Sequence, residues 1–307
     1  VFAENVFRLP HRIHVIPSVR LEHEKISIDE TVRPPFLTRP MIDETVTRSV
    51  PLFGIGIGND FGHQNETYFN VSQGYRPIRY FDVASPFSNL QPGNVADPSK
   101  SLSYEAGVHG TPITGLYYDA SLFWIDFKNR IETQHINATD TINVNTGDTR
   151  HRGFEGDISY DFLAARNDGR HLEAFASVQL LNATFTHSII PGQIGKTPAF
   201  SPHYLFKGGI TWRADKRWKL ALTATSVASQ YWQDSDVSKG TGATFLPARI
   251  PAYTVIDFAA DWQVAPRLRL LGGVSNLTDR TYYDRVFSTG LEPAPGRTVY
   301  GGASVSF

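Results

Sequence analysis

The sequence predicts an all-β chain and, within that class, a transmembrane antiparallel β-barrel. Three observations predict it. Apolar and polar residues alternate with period two in segment after segment. Short and long connections take turns along the chain. The final stretch puts Val299, Gly301, Ala303, Val305 and Phe307 on one face and Thr298, Tyr300, Gly302, Ser304 and Ser306 on the other. It ends on an aromatic, which suits the closing strand of an outer-membrane barrel, with Phe307 at a lipid interface as a membrane-assembly signal.

The alternation yields about 13 strands, near 1–8, 11–24, 48–60, 64–75, 100–109, 115–133, 141–163, 171–187, 202–213, 217–232, 251–264, 267–278 and 297–307. In the seventh, Phe154, Ile158, Tyr160 and Phe162 alternate with Glu155, Asp157, Ser159 and Asp161. In the eighth, Leu172, Ala174, Ala176, Val178 and Leu180 form the uniformly apolar face. In the ninth, Tyr204, Phe206, Ile210 and Trp212 alternate with Lys207, Thr211 and Arg213. In the eleventh, Ile256, Phe258, Ala260 and Trp262 alternate with Asp257, Asp261 and Gln263. A soluble sandwich would turn the apolar face inward and a membrane barrel would turn it to lipid, so alternation alone leaves both open.

Loop lengths separate them. The connections Leu9 to His11, Asp60 to His63, Gly110 to Thr114, Ala164 to Arg170, Ala214 to Lys216 and Ala265 to Pro266 are short. Those from Lys25 to Thr47, Arg76 to Ser99, Ser188 to Ser201, Gln233 to Ile250 and Asp279 to Gly296 are long, and Gln134 to Asp140 is the exception among them. Outer-membrane barrels have short periplasmic turns and long extracellular loops. Compact soluble domains rarely carry several long loops.

Composition agrees. No apolar run is long enough for a transmembrane helix. The slightly negative mean hydropathy is uninformative for strands that show half their residues to a polar interior. With no cysteine there is neither a disulfide framework nor a thiolate metal site. The balance of 29 basic and 30 acidic residues gives no case for nucleic acid. The chain starts at Val1 without a signal-peptide pattern and reads as a mature or truncated piece of something longer. The odd strand count agrees, because bacterial single-chain barrels have even numbers.

Several local patterns coincide in order: Glu4-Asn5-Val6-Phe7-Arg8, Ile16-Pro17-Ser18-Val19-Arg20-Leu21-Glu22, Tyr68 to Pro77, Ser103-Tyr104-Glu105-Ala106-Gly107-Val108, Arg152-Gly153-Phe154-Glu155-Gly156-Asp157, Gly273 to Tyr283, and Pro295-Gly296-Arg297-Thr298-Val299-Tyr300. Together they resemble the C-terminal barrel portion of TonB-dependent outer-membrane receptors, most like the ferric dicitrate and siderophore branch. The resemblance covers essentially the whole chain. It implies a barrel of about 22 strands, of which these would be the C-terminal set, with the plug domain and first strands lying outside the chain given. It implies a bacterial outer-membrane location, a ferric chelate as ligand, energy from the TonB complex through the absent N-terminal part, insertion by the outer-membrane assembly machinery, and contact with outer-membrane lipid. It implies no enzyme activity and no cofactor. A passive porin and a soluble β-rich binding module are the alternatives.

Each motif also has a plainer reading. Asn276-Leu277-Thr278-Asp279 shapes a strand end and turn, since Asn and Asp cap backbone groups locally. The glycine of Arg152-Gly153-Phe154-Glu155 relieves crowding in the wall. Gly54-Ile55-Gly56-Ile57-Gly58 mimics a dinucleotide fingerprint but sits in a strand pattern with no helix after it. His11 and His14 have no further ligand beside them in sequence, so no metal site is expected. No Ser/His/Asp arrangement has a local signature, and no catalytic residue is expected.

The inward-facing charges Glu155, Asp157, Asp161, Lys207, Arg213, Asp257, Asp261 and Arg269 are expected to line the lumen and, in a plugged barrel, to hold the plug. Ferric chelates are often anionic, and planar Arg forks bind carboxylates in bidentate fashion. The ligand candidates are therefore Arg76 and Arg79 with Tyr75 and Tyr80, then Arg249 and Arg285 at two later loops, and Gln134 and His135 at another loop tip.

Overall fold

The computed structural model describes residues 1–62, 64–85, 89–91, 96–137, 139–166, 168–234, 246–287 and 290–306. Phe307 falls outside the described residues, as do the side chains of residues 133–135. The chain opens with β1 (Phe2–Glu4) and β2 (Phe7–Leu9), which both pair with β3 (Ile13–Asp29). Then come β4 (Asp43–Gly62), β5 (Asn65–Arg76), helix α1 (Tyr80–Val83), β6 (Asn89–Leu90), β7 (Ser99–Gly110), β8 (Leu116–His135) and β9 (Asp140–Asp161). The second half holds β10 (His171–Ser188), β11 (Tyr204–Arg213), β12 (Trp218–Val227), β13 (Gln230–Tyr231), β14 (Arg249–Ile250), β15 (Tyr253–Ala265), β16 (Leu268–Ser275), β17 (Tyr283–Phe287), β18 (Gly290–Pro293) and β19 (Thr298–Val305).

One antiparallel sheet contains every wall strand, in the order β1-β3-β4-β5-β7-β8-β9-β10-β11-β12-β15-β16-β19. Every wall strand pairs with its neighbours in sequence, the meander of an up-and-down barrel. Among the described residues β19 does not pair with β1 or β2, so the sheet is open. All the expected strands are present, the first as the two short pieces β1 and β2, and four boundaries move. The β3–β4 ladder continues through Lys25–Asp29 against Asp43–Thr47, so the first long loop shrinks to 30–42. Its end is held by Ile28, which packs with Ile42, Ile78, Val83 and Ala84 in a small core under the loops. The strand expected at 217–232 stops at Val227, because Gln230 and Tyr231 pair instead with Ile250 and Arg249. The strand expected at 267–278 stops at Ser275, because Asn276 takes a left-handed backbone with φ 52°.

Register fixes the faces. Val15, Pro17, Val19 and Leu21 of β3 lie opposite Ile57, Ile55, Phe53 and Pro51 of β4. The same face runs through Phe69 and Val71, Ala106 and Val108, Leu122, Phe154 and Ile158, Val178 and Leu180, Phe206 and Ile210, Leu222, Phe258, Leu270, and Val299 and Val305. Most of these residues are exposed, Leu122 by 63 % and Phe53 by 58 %. A soluble sheet buries such a face; a barrel wall shows it to hydrocarbon. Beside the short turns the band is edged by aromatics: Tyr160 with Phe162, Trp212, and Trp218 stacked on Trp262 at 4.8 Å. At the other edge stand Tyr104 and Trp124, opposed in register. Aromatic girdles mark the two interfaces of a membrane.

The opposite face is polar and carries a repeated packing device. Tyr68, Phe123, Phe175 and Tyr300 each stand directly opposite a glycine, namely Gly107, Gly153, Gly209 and Gly273. A methyl group on Gly107 would meet the Tyr68 ring at 2.5 Å, and one on Gly153 would meet Phe123 at 2.7 Å. Each ring thus lies over the neighbouring backbone. Gly54, Gly56 and Gly58 share this face, where added side chains would strike Ser18, Asn70, His14 and Glu66, so they are wall residues with no phosphate cradle. These faces predict unequal costs for adjacent residues. Leu222→Arg is expected to destabilise the protein by about 2–4 kcal/mol in a bilayer, while Thr223→Arg, on the polar face, costs far less. Equal losses in urea unfolding from liposomes would reverse the assignment of faces.

Candidate functional site

The long connections are folded caps, and they gather on one end of the wall. The first cap joins loop 30–42 to loop 77–98 around a buried ion pair. Arg39, 2 % exposed, donates from Nη1 to Glu30 Oε2 at 2.6 Å and from Nη2 to Glu30 Oε1 at 2.9 Å. Nη1 also reaches the Pro40 carbonyl at 2.9 Å, and the Asn89 side-chain carbonyl accepts the Thr38 amide at 2.7 Å. The Arg39 guanidinium holds the Glu30 carboxyl below the usual glutamate range, against the opposing effect of burial.

Arg76 and Arg79 come together here, around Asp82, with Tyr80 beginning α1 beside them and Tyr75 turned to Glu24. Arg76 Nη2 donates to Asp82 at 2.9 Å, and the backbone amide of Arg79 donates to its other oxygen at 2.8 Å. Asn143 of β9 grips the Asp82 carbonyl at 2.6 Å, which fixes α1 to the wall. Arg76 is thus partly committed to anchoring α1, while its Nη1 is buried without an acceptor among the described residues. Arg79 projects, with its side chain 64 % exposed. Tyr80 and Phe81 are both exposed and meet edge to face at 5.7 Å. Phe81 was not among the expected residues; its position next to Tyr80 at the opening of a loop was the available signal. Tyr75 faces Glu24, with its hydroxyl 3.4 Å from the carboxylate.

The second cap ties β8 to the loop after β10. Arg130 pairs with Asp234 at 2.6 Å, and the other Asp234 oxygen accepts the Ala199 amide at 2.7 Å. Arg130 also lies 5.3 Å over Phe185 and 3.2 Å from Glu132, whose carboxyl burial pushes up while Arg130 opposes the shift. Gln134 and His135 end β8 at this side, with side chains outside the described set. In the third cap Leu246, Ile250 and Val286 pack together with Trp232 and Tyr283. Arg249 stacks on Tyr231 at 4.3 Å, and Arg285 sits 3.9 Å from Glu292 across the β17–β18 hairpin. Arg249 and Arg285 therefore belong to a different cap from Arg76 and Arg79.

All eight expected lumenal charges lie on the polar face, and the wall itself engages most of them. Gln179 donates to Glu155 at 2.6 Å, and Ser177 donates to Asp157. Asp161 meets His171 at 2.6 Å and accepts the Leu163 and Leu172 amides. Arg269 Nε donates to both Asp261 oxygens at 2.7 Å. Asp257 accepts the Asn276 amide at 2.8 Å, so its duty is to hold the turn. The Asn276 side chain bonds Arg280 in both directions, and Asp279 accepts the Arg297 amide at 2.8 Å, the strand-end role expected for this motif. Lys207 stands opposite Ser177 and Thr225, and Arg213 opposite His171. The sequence did not reveal that His14 and His109 flank Glu66, at 3.2 and 3.9 Å, because these residues come from three strands.

Residues 1–277 match the family model described as TonB dependent receptor-like, beta-barrel. The chain belongs to this family. Among solved structures, this receptor barrel is similar to the ferric citrate transporter FecA in its unliganded form, with 22 % identity, a TM-score of 0.74, and coverage of 96 % of this chain and 43 % of that one. It is similar to the copper transporter OprC, with 18 % identity, a TM-score of 0.78, and coverage of 100 % and 47 %. It is also similar to the ferric yersiniabactin uptake receptor FyuA from Yersinia pestis, with 18 % identity, a TM-score of 0.71, and coverage of 100 % and 45 %. The receptor barrel described here thus spans less than half the length of these proteins.

The buried pair in the first cap makes its order pH-dependent. A carboxyl lowered on folding stabilises above its unfolded value, and that contribution is lost as pH falls through the folded value. The protection of amides in 30–42, relative to their intrinsic exchange rates, is therefore expected to fall in acid, and Glu30→Gln to give low protection already at neutral pH. Arg39→Ala, which strands a buried carboxylate, is expected to cost about 3–5 kcal/mol locally. Limited proteolysis of the two loops checks both.

Proposed function

We propose that this receptor barrel sits in the bacterial outer membrane and takes up a ferric chelate with energy from the TonB complex. The family match across residues 1–277 carries the reading. A lipid-facing band between aromatic girdles and folded caps confined to one end support it. Further strands and a plug domain complete the barrel, because an open sheet edge is not tolerated in hydrocarbon. The capped end faces outward and receives the ligand. Arg79 with Tyr80 and Phe81 forms the first contact surface, and the spare donor of Arg76 lies beside it. Arg249 and Arg285, with Gln134 and His135, border the same opening from other caps. In the lumen Lys207 and Arg213 are the charges least engaged by the wall, and they face the plug.

The test is uptake of radiolabelled ferric chelates by iron-starved cells that depend on this receptor. Uptake is expected to require TonB. Uptake that survives deletion of TonB would favour a passive channel, and uptake of copper in place of iron would change the ligand class. Arg79→Ala is expected to weaken binding of an anionic chelate roughly tenfold, the scale of one charge-assisted hydrogen bond, with barrel assembly intact because Asp82 of α1 keeps Arg76 and the Arg79 backbone amide and loses only a 3.8 Å side-chain contact. Equilibrium binding to cells that show normal surface levels measures it; unchanged affinity removes Arg79 from the contact surface.

A further inference from the structure

The outer wall carries a cationic patch where the apolar band ends at the capped side. Lys100 of β7 stands directly opposite Lys128 of β8. One step toward the membrane Leu102 opposes Asp126, and one step further Tyr104 opposes Trp124. Across the next ladder Asp126 opposes Arg150 and Trp124 opposes Arg152. Opposed residues share a face, so these side chains continue the face of Ala106, Leu122 and Phe154.

The internal pairing is incomplete. Arg150 donates to Asp126 at 2.8 Å and lies 4.6 Å over the Trp124 ring, and the Trp124 indole donates to the other Asp126 oxygen at 3.1 Å. The Asp126 carboxylate thus serves Arg150 and Trp124 and lies within electrostatic reach of Lys128, and Arg152 lies 5.8 Å over the Trp124 ring. Lys100, Lys128 and Arg152 are exposed and enter none of the ion pairs among the described residues. Like charges directly opposite in a sheet repel, so the two lysines are a cost unless an anion sits between them. Adjoining strands end the band on neutral groups: Gln73 opposite Leu102, Asn182 and Thr184 opposite Arg152 and Arg150, and a Ser226–Thr254 hydroxyl pair at 2.9 Å further round. On this face the next cation is Lys25 of β3, opposite Thr47 and separated from β7 by two strands, so β7–β9 hold the one cluster of cations among the described residues at this edge.

Two further features say what the anion is. Tyr104 and Trp124 mark the interface, and Lys100 lies four residues beyond Tyr104, roughly 13 Å along a tilted strand, which is headgroup depth. Beside the lysines the wall also opens a cleft. The β4–β5 ladder stops at Gly54 and Ser72, above which the Phe53 amide is satisfied by the Gln73 side chain at 3.2 Å. The cleft is lined by Pro51, Leu52, Phe53 and Leu102, next to Lys100 and Lys128. Apolar groove and paired cations together have the shape of a lipid: acyl chain below, phosphate above.

We propose that Lys100, Lys128 and Arg152 bind the phosphate of an outer-leaflet lipid headgroup, with an acyl chain of the same lipid lying along Phe53 and Leu102. The proposal rests on the outer-membrane position argued above. Trp124, stacked under Arg150, sits beside the bound phosphate and reports on it.

The experiment uses the complete receptor purified in a non-ionic detergent and titrated with bisphosphorylated lipid A, read by native mass spectrometry and Trp fluorescence. The lysine pair Lys100→Gln with Lys128→Gln is expected to weaken binding roughly thirty-fold, and Arg152→Gln alone about five-fold. Lys100→Arg with Lys128→Arg is expected to restore binding, and Arg267→Gln, at a turn on the far side of the wall, to leave it unchanged. Dephosphorylated lipid A is expected to bind weakly, and inorganic phosphate not to compete. Equal affinity of the glutamine pair and the wild type overturns the proposal, as does equal binding of the dephosphorylated lipid. Competition by inorganic phosphate would make the patch a free-anion site and overturns the lipid assignment. If the glutamine pair fails to give a heat-modifiable folded band, Arg152→Gln, which keeps both lysines, decides the question. Failure of the wild-type receptor to bind lipid A while TonB-dependent uptake is normal discards this proposal alone; failure to insert in membranes discards the function on which it rests.

Discussion

The wall is governed by one constraint: every backbone N–H and C=O at membrane depth must find a partner in protein, because hydrocarbon offers none. The strict next-neighbour order from β1 to β19 satisfies it for every strand between the two open edges. The same ladder then dictates the chemistry of the faces. Once Phe258 opposes Leu222 and Val274, Asp257 and Asp261 are forced to the other side. Side-chain alternation is therefore a consequence of backbone pairing, and a one-residue slip would drive carboxylates into lipid. Where the ladder lapses, a side chain substitutes for it, as Gln73 does for the Phe53 amide.

Outside the membrane water relaxes this constraint, and the chain changes its methods. The caps use a short helix, two-residue strands, and polar ties such as the buried Arg39–Glu30 and the half-buried Arg130–Asp234. A buried pair of this sort is weak evidence for stability, since desolvation offsets much of its attraction. Its geometric effect is clearer. A bidentate Arg–carboxylate contact fixes distance and plane together, so loop 30–42 keeps its own shape, and the Asn89 side chain, accepting the Thr38 and Arg39 amides, with the Ser85 carbonyl, accepting from Arg39, ties it to loop 77–98. Arg79 and Tyr80, the proposed ligand contacts, inherit that relation through Ile78, Val83 and Ala84.

The wall was legible from sequence because period-two alternation and turn spacing are local. Even the long strand β9, with Phe154 to Phe162 against Glu155 to Asp161, announces its faces without any partner. The extensions beyond the membrane were less legible. Lys25–Asp29 and Asp43–Thr47 pair across a loop, and Ile28 finds its core only through residues 42, 78, 83 and 84. The site residues were legible as types, and the partners they hold within the chain were not. Arg76 looked like a ligand cation, yet Asp82, six residues on, takes one of its donors to hold α1. Asp257 looked like a lumenal charge, yet it caps the turn at Asn276. His14, Glu66 and His109 drew no attention because only the register of three strands brings them together. Local patterns specify faces; partners depend on register and on loop packing.

The pairing of lumenal charges within the wall bears on how a proposed plug could move. If each carboxylate on the polar face sought a cation on the plug, releasing the plug would break many charge-assisted contacts at once, each worth about 1.5–3 kcal/mol. Instead Asp261 is held by Arg269, Glu155 by Gln179, Asp157 by Ser177 and Asp161 by His171. The aromatic rings laid over glycines further smooth the surface, because Tyr68, Phe123, Phe175 and Tyr300 lie against backbone where upright side chains would interlock with a plug. A wall that settles its own charges presents dipoles and flat rings to its contents. In the proposed receptor such a surface holds a plug through water and a few strong contacts, Lys207 and Arg213 among them, which a modest pull can break in sequence.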